Sequence, residues 1–184
     1  MTSHEPVPTD PKDKRVQYTR MPVVDALDTD AFRFVFELWR ARRRGRPLPA
    51  RGDFDPLDLK PVLARLMLIE VQDDPPDFRY RLAGTHSRDL TGQEWTGRSI
   101  RELVPQQHAR LLWNDLCEMQ QTLQPQYVRL DIISAVGEPL SYRVLRLPLG
   151  SDGKRMDMAM VVQDYGDTLP LLRKYFDDER QRQP

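Results

Sequence analysis

A block of helix-like sequence separates two strand-like segments from three others, and this order constrains the fold more than any other feature of the chain. Residues 78–85 alternate strictly between apolar and intervening side chains, which is the periodicity of a β-strand. Short turns join the last three strands, which predicts an antiparallel meander. An α+β fold follows, with a five-stranded antiparallel sheet and helices inserted between strands 2 and 3. The other predicted strands are residues 67–71, 127–133, 141–149 and 156–165.

An apolar helix is predicted to precede the sheet. The segment AFRFVFELWRARRR begins after a capping residue, for which Asp28, Thr29 and Asp30 are all candidates, and it stops at Gly45. Its apolar side chains cover a wider arc than a single contact with a core requires. We therefore expect this helix to contact both its own sheet and a second subunit. The predicted dimer interface consists of Phe32, Phe36 and Trp39.

The predicted sheet and helices divide the chain into three regions. Residues 1–26 are rich in proline and charge, and we expect a flexible tail there because they bury too little apolar area to offset the entropy of ordering. Residues 27–165 contain the N-terminal helix and all predicted strands, and they make up the single expected domain. Residues 166–184 are predicted to form a helical C-terminal tail.

Charge and composition limit the expected partners. Lys and Arg number 28, as do Asp and Glu, so no overall basic field is available to attract nucleic acid. The arginines within residues 40–46 cluster at a helix end, where they are expected to interact with the helix dipole, although an anionic partner is an alternative. No apolar stretch is long enough to span a membrane, and the N-terminal segment lacks the apolar core of a secretory signal. We therefore expect a cytoplasmic protein that binds no nucleic acid and has no membrane span.

Three local patterns after the second strand resemble the PAS domain family. In that family a strand leads into a short helix ending in Leu-Thr-Gly. A Gly-Arg-x-hydrophobic step follows, and then Leu-hydrophobic-Pro at the head of the next helix. The corresponding segments here are residues 90–92, 97–100 and 103–105. In addition, LWRARRRGRPLPARGDFDP and YRLAGT are similar to a bacterial PAS subfamily found as small stand-alone proteins.

The resemblance implies a PAS fold and a role in sensing or in contacting a partner, and it implies no reaction. The leading hypothesis is a stand-alone, non-catalytic sensory domain that binds a small molecule and passes a signal to a separate signalling protein. The alternative is a homodimerising adaptor whose pocket is vestigial and holds no ligand. The sequence identifies neither the ligand nor the partner.

Candidate ligand-binding residues come from the strands and from the helical region. Arg81 and Arg143 lie in predicted strands, where a guanidinium facing the helices would bind a carboxylate or a phosphate. The alternative is that the strand arginines face outward and cover the sheet with their stems. Aromatic side chains between the sheet and the helices would line a largely apolar pocket, so a small anionic or aromatic ligand is expected. The predicted set is completed by His86, Trp95, Trp113 and Tyr142.

No metal site is predicted, and the cofactor is left open, with haem and flavin disfavoured. His4, His86 and His108 do not have the spacing of a metal motif. Some PAS domains hold haem through a histidine on the helix after the Leu-x-Pro step, but His108 comes about one turn earlier than that pattern requires. Light-sensing flavin PAS domains use a reactive cysteine in an Asn-Cys-Arg motif, which is absent here. The single cysteine, Cys117, has the character of a small apolar helix residue.

Catalysis is not expected. His86, Ser87 and Asp89 offer the residue types of a nucleophile triad, but they are crowded into one helical turn without a nucleophile elbow. The sequence also has no glycine-rich phosphate loop and no identifiable acid–base pair. The chain is therefore predicted not to be an enzyme.

Overall fold

The computed structural model describes residues 16–134 and 136–182. Six strands of this part form one antiparallel sheet: β1 (Val16–Met21), β2 (Leu66–Asp73), β3 (Pro76–Ala83), β4 (Gln126–Ile133), β5 (Pro139–Leu149) and β6 (Met158–Asp164). Their spatial order is β1-β4-β5-β6-β2-β3. The α-helices are α1 (Val23–Ala26), α2 (Asp30–Arg43), α3 (Thr85–Thr91), α4 (Gln106–Thr122) and α5 (Leu169–Gln181). None of the described helices combines the length and the hydropathy needed to cross a bilayer.

The predicted order of elements is confirmed. β2 and β3 form a hairpin, α3 and α4 follow, and β4, β5 and β6 form an antiparallel meander. The strands β6 and β2 also pair, which joins the hairpin to the meander in one sheet. The fold is therefore the expected α+β arrangement, with helices inserted between the hairpin and the meander.

The sheet has six strands instead of the predicted five. The additional strand, β1, pairs antiparallel with β4 along its whole length. It lies inside residues 1–26, for which the sequence predicts a flexible tail. Most of the prolines and charges behind that prediction belong to residues 1–15, which lie outside the described residues. β1 is held by its ladder with β4 and by Tyr18 and Arg20, whose side chains bond to carboxylates on α4.

Helix α2 covers one face of the sheet. Its first turn is capped by Thr29, whose side chain accepts a hydrogen bond from the backbone N–H of Phe32 (3.2 Å). Trp39 donates its indole N–H to the carbonyl of Pro148 on β5 (2.8 Å), and Phe32 meets Tyr127 on β4 edge to face. The apolar stripe of this helix is therefore used within the chain itself.

Helices α3, α4 and α5 cover the opposite face. Leu145 on β5 pairs with Tyr127 on the α2 side, so Tyr142 and Arg146 point to the other side because side chains alternate along a strand. The predicted C-terminal tail helix is α5, which packs against α3 and buries Phe176. Both faces of the central strands are thus covered.

The step from β3 to α3 requires glycine. Gly84 donates its N–H to the carbonyl of Leu66 (2.8 Å). A β-carbon at this position would lie 2.5 Å from the carbonyl oxygens of Leu63 and Ala64, which leaves no room for any side chain. The glycine of the YRLAGT motif is therefore explained by the close approach of the 3₁₀ segment Lys60–Arg65.

Replacing Phe32 with alanine is expected to lower the free energy of unfolding by about 3–5 kcal/mol, because it empties a fully buried site against Tyr127. Phe34 is 40% exposed on the same helix, so Phe34→Ala is the matched control, with an expected loss of about 1 kcal/mol or less. Urea unfolding of both variants measures the difference. Equal losses would contradict the packing of α2 on the sheet.

Candidate functional site

A small cavity lies between the sheet and helices α3, α4 and α5. Its volume is about 50 Å³, which is room for a few water molecules. Much of its wall is apolar, as in most small-molecule sites, and a limited number of polar side chains enter it. These polar residues include Thr91, Trp95, His108, Tyr142, Arg146 and Gln163.

Arg146 is the buried charge of this cavity. Its side chain is 4% exposed, and its Nη1 lies 2.6 Å from Oδ2 of Asp115 on α4. Its Nε has no hydrogen-bond acceptor among the described residues. Burial opposes the charge, but the Asp115 carboxylate and Tyr18 outweigh it and hold the pKa of Arg146 above its ordinary value. The guanidinium therefore stays charged inside the protein, with donor capacity that the described chain does not use.

Asp115 joins the cavity to the N-terminal strand. Its Oδ1 accepts hydrogen bonds from the hydroxyl of Tyr18 (2.5 Å) and from Nη2 of Arg20 (3.0 Å). Arg20 also pairs with Glu118 one turn further along α4, and this hydrogen bond lowers the pKa of the Glu118 carboxyl. Burial raises the pKa of the Tyr18 hydroxyl, and the nearby Asp115 raises it further against the opposing charge of Arg146. The carboxylate of Asp115 is thus shared between a buried and a half-exposed arginine.

His108 and Tyr142 bring a second pair of polar groups to the cavity. The Nδ1 of His108 lies 3.1 Å from the hydroxyl of Tyr142, and the two rings are nearly parallel. Phe176 of α5 meets the His108 ring edge to face, with the ring centroids 5.3 Å apart. Burial raises the pKa of Tyr142 well above its ordinary value, so the hydroxyl stays protonated at neutral pH. α5 therefore closes the cavity over these polar groups.

Two of the predicted ligand-binding residues, Trp95 and Tyr142, line the cavity. The Trp95 indole donates to the hydroxyl of Thr91 (2.6 Å). Trp113 is buried nearby but packs against Phe78 and under the guanidinium of Arg101. His86 is half-buried on α3 and is not among the cavity-lining residues.

The predicted strand arginines lie elsewhere. Arg81 is exposed on β3, next to the inward-facing Tyr80. Arg143 pairs with Asp28 (2.9 Å) on the α2 side of the sheet. Neither lines the cavity, since Arg81 faces solvent and Arg143 lies on the face of the sheet that α2 covers. The arginine that enters the cavity is Arg146, which was not among the predicted site residues. It is four residues from Tyr142 on β5 and therefore lies on the same face of the sheet, so the spacing of the two residues could have indicated it.

The predicted dimer residues are buried in the chain's own core. Phe32 is inaccessible, Trp39 is 2% exposed and Phe36 is 7% exposed. Phe36 stacks on Trp39, and both line a groove that ends at the α4–β4 connection. Contact with the sheet thus accounts for their apolar character. The large apolar residue that α2 exposes is Phe34.

The cavity is too small for haem or for a flavin. Its volume of about 50 Å³ is far below the roughly 300–1,000 Å³ of typical cofactor sites. His108 lines the cavity, but its Nδ1 is turned to Tyr142. Cys117 is 2% exposed on α4, outside the cavity lining, and burial raises the pKa of its thiol to about 11. The described residues contain no group of three metal-ligating side chains, and His4 lies outside them.

A sequence comparison shows the family of the chain. A family model described as PAS domain matches residues 27–161. No match to a curated protein was found. The LOV protein of Rhodobacter sphaeroides is 18% identical with a TM-score of 0.41, and the match covers 58% of this chain and 63% of that chain, less than two thirds of its length.

Two further solved structures are also similar to this chain. A fungal LOV domain photoreceptor is 22% identical with a TM-score of 0.41, covering 79% of this chain and 100% of that one. A PAS domain of a protein from Colwellia psychrerythraea is 9% identical with a TM-score of 0.40, covering 61% and 98%.

Replacing Asp115 with asparagine is expected to lower the free energy of unfolding by about 3–5 kcal/mol, because it leaves the charge of Arg146 buried without a counter-ion. Asp131→Asn removes the partner of the half-exposed Arg129 and is the matched control, with an expected loss below about 1 kcal/mol. Urea unfolding measures both. A loss at Asp115 no larger than at Asp131 would show that the buried pair is not a structural element.

The Cys117 thiol of the folded protein is expected to react with a disulfide reagent at pH 8 at least roughly 100-fold more slowly than in the unfolded chain. A pKa of about 11 leaves far less thiolate than the ordinary value of 9.0, and burial blocks access as well. The reaction is followed by the absorbance of the thiolate that the reagent releases. The control is the same protein unfolded in guanidinium. Comparable rates would place Cys117 at an accessible site.

Proposed function

Because the chain belongs to the PAS domain family, we propose that it is a sensory domain that binds a small molecule between its sheet and helices α3 to α5. The observation that carries the proposal is a buried, charged arginine in an otherwise largely apolar cavity. Apolar pockets with a few oriented polar groups are typical small-molecule sites. A buried guanidinium is costly to keep in a core that serves packing alone.

The route of the signal follows from which elements touch the cavity. α5 contributes Phe176 directly, and β1 is connected to Arg146 through Asp115. Helix α2 packs on the other face of the sheet, so it is a less direct recipient. A ligand shifts a conformational balance only as far as it prefers one state, so we propose that a bound ligand favours one packing of α5 and β1 over another.

The proposed role is non-catalytic and cytoplasmic, with a separate signalling protein as the recipient of the signal. PAS domains as a family are generally sensory, which supports the first point. The single cysteine of the chain, which is buried and free, is compatible with a reducing setting.

Ligand binding is tested by native mass spectrometry of the purified full-length chain, followed by a thermal-shift screen of small metabolites. We expect either a co-purified mass or a compound that raises the melting temperature, since a ligand that binds only the folded state stabilises it. The control is Tyr142→Trp, which fills the cavity with a larger side chain and should abolish the shift. No bound mass together with no stabilising compound would overturn the sensory proposal.

A homodimerising adaptor with a vestigial pocket is the second candidate. The small volume of the cavity and the 40% exposure of Phe34 on α2 favour it. Substitutions at Phe36 or Trp39 would disrupt the core, so the interface must be tested at an exposed position.

Light scattering of the wild type and of Phe34→Glu tests the adaptor. On that hypothesis the wild type has twice the mass of one chain, and the charge on the exposed face of α2 returns the variant to a single chain. Arg33→Glu, an exposed substitution on the same helix, is the control for an effect of charge alone. If the wild type has the mass of one chain, the hypothesis of a homodimerising adaptor is wrong.

A further inference from the structure

We propose that the ligand of this cavity is a short-chain monocarboxylate anchored by Arg146. This inference rests on the proposed sensory function and assigns the chemical class of its ligand. Arg81 and Arg143, the arginines predicted from the sequence to bind an anion, lie outside the cavity, whereas Arg146 is buried in it.

Arg146 has more hydrogen-bond donors than the described residues satisfy. A guanidinium carries five N–H groups in a rigid fork that matches the two oxygens of a carboxylate. Asp115 lies against Nη1, while Nε has no acceptor among the described residues although the side chain is 4% exposed. A buried donor left without an acceptor destabilises the fold, so an acceptor supplied by a ligand gains more here than at the surface.

The groups around Arg146 also allow a second carboxylate to bind beside Asp115. A ligand carboxylate would compete with Asp115 for the guanidinium. Asp115 would then still accept hydrogen bonds from Arg20 and Tyr18, so neither carboxylate would be left without a donor. Arg146 also acts on the hydroxyls of Tyr80 and Tyr142, where its charge opposes the upward effect of burial on the pKa. The charge of Arg146 therefore acts on polar groups from two different strands of the cavity wall.

The apolar part of the cavity wall limits the rest of the ligand. A volume of about 50 Å³, which is room for a few water molecules, accommodates only a small ligand of a few heavy atoms. Hydrocarbon walls favour an alkyl chain over a second charge, which would be buried without a partner. The apolar lining includes Leu90, Leu111, Leu112, Leu130 and Val144.

The test compares carboxylates with their neutral amides on the full-length protein. Acetate, propionate and butyrate are titrated by calorimetry and thermal shift at constant ionic strength, beside acetamide, propionamide and butyramide. We expect the carboxylates to bind at least roughly tenfold more tightly than the amides, because a hydrogen bond to a charged group gains more than one between neutral groups. Sodium chloride at the same concentration controls for the effect of salt.

Two variants assign the site. Arg146→Lys keeps a positive partner for Asp115 but loses the fork, and we expect it to weaken carboxylate binding roughly tenfold or more. Arg129→Lys makes the same substitution at an exposed position on β4 and should bind as the wild type does. If Arg146→Lys does not fold, the comparison of carboxylates with amides on the wild type still decides the ligand class.

The outcomes separate this inference from the proposed function. Equal binding of amides and carboxylates, or undiminished binding by folded Arg146→Lys, would overturn the carboxylate anchor and leave the sensory role standing. Binding of an unrelated compound in the metabolite screen, with no carboxylate bound, would do the same. If neither the screen, nor native mass spectrometry, nor the carboxylates show any binding, both proposals fall.

Discussion

The sheet of this protein is covered on both faces, and most of its other features follow from that constraint. Alternate side chains of β5 point either to α2 or to α3, α4 and α5, so the middle of this strand has no face that reaches solvent. A charged residue on such a strand must be buried with its counter-ion. Arg146 is that residue, and Asp115 is placed opposite it on α4. Packing of the sheet and polarity of the cavity are therefore parts of a single arrangement.

Much of the fold was predictable because it depends on local periodicity. The alternation in residues 78–85 and the short turns of the meander depend on nothing distant in sequence. β1 was missed because a short strand with exposed positions has weak periodicity of its own, and its stability comes from a partner strand more than 100 residues away. The wide apolar arc of α2 was an equally local signal. It showed that the helix is buried, but the surface that buries it is set by the tertiary fold.

The site was only partly predictable, for a similar reason. Aromatic side chains are large, and Trp95 and Tyr142 reach the cavity from positions that the order of elements already suggests. An arginine has no such preference, and its face depends on the register of its strand. Arg143 and Arg146 are three residues apart on β5, so they lie on opposite faces of the sheet. Choosing between them required knowing which face carries the helices.

The hydrogen bonds around Asp115 also help to fix the register of β1 against β4. β1 is an edge strand with little buried apolar area, and a hydrophobic pattern of that kind specifies pairing weakly. A slip of one residue against β4 would turn Tyr18 and Arg20 away from α4 and present Gln17 and Thr19 in their place. The hydrogen bonds to Asp115 and Glu118 therefore distinguish the correct pairing from its neighbours, and an event that loosens Asp115 would give this strand the freedom to slide or to leave the sheet.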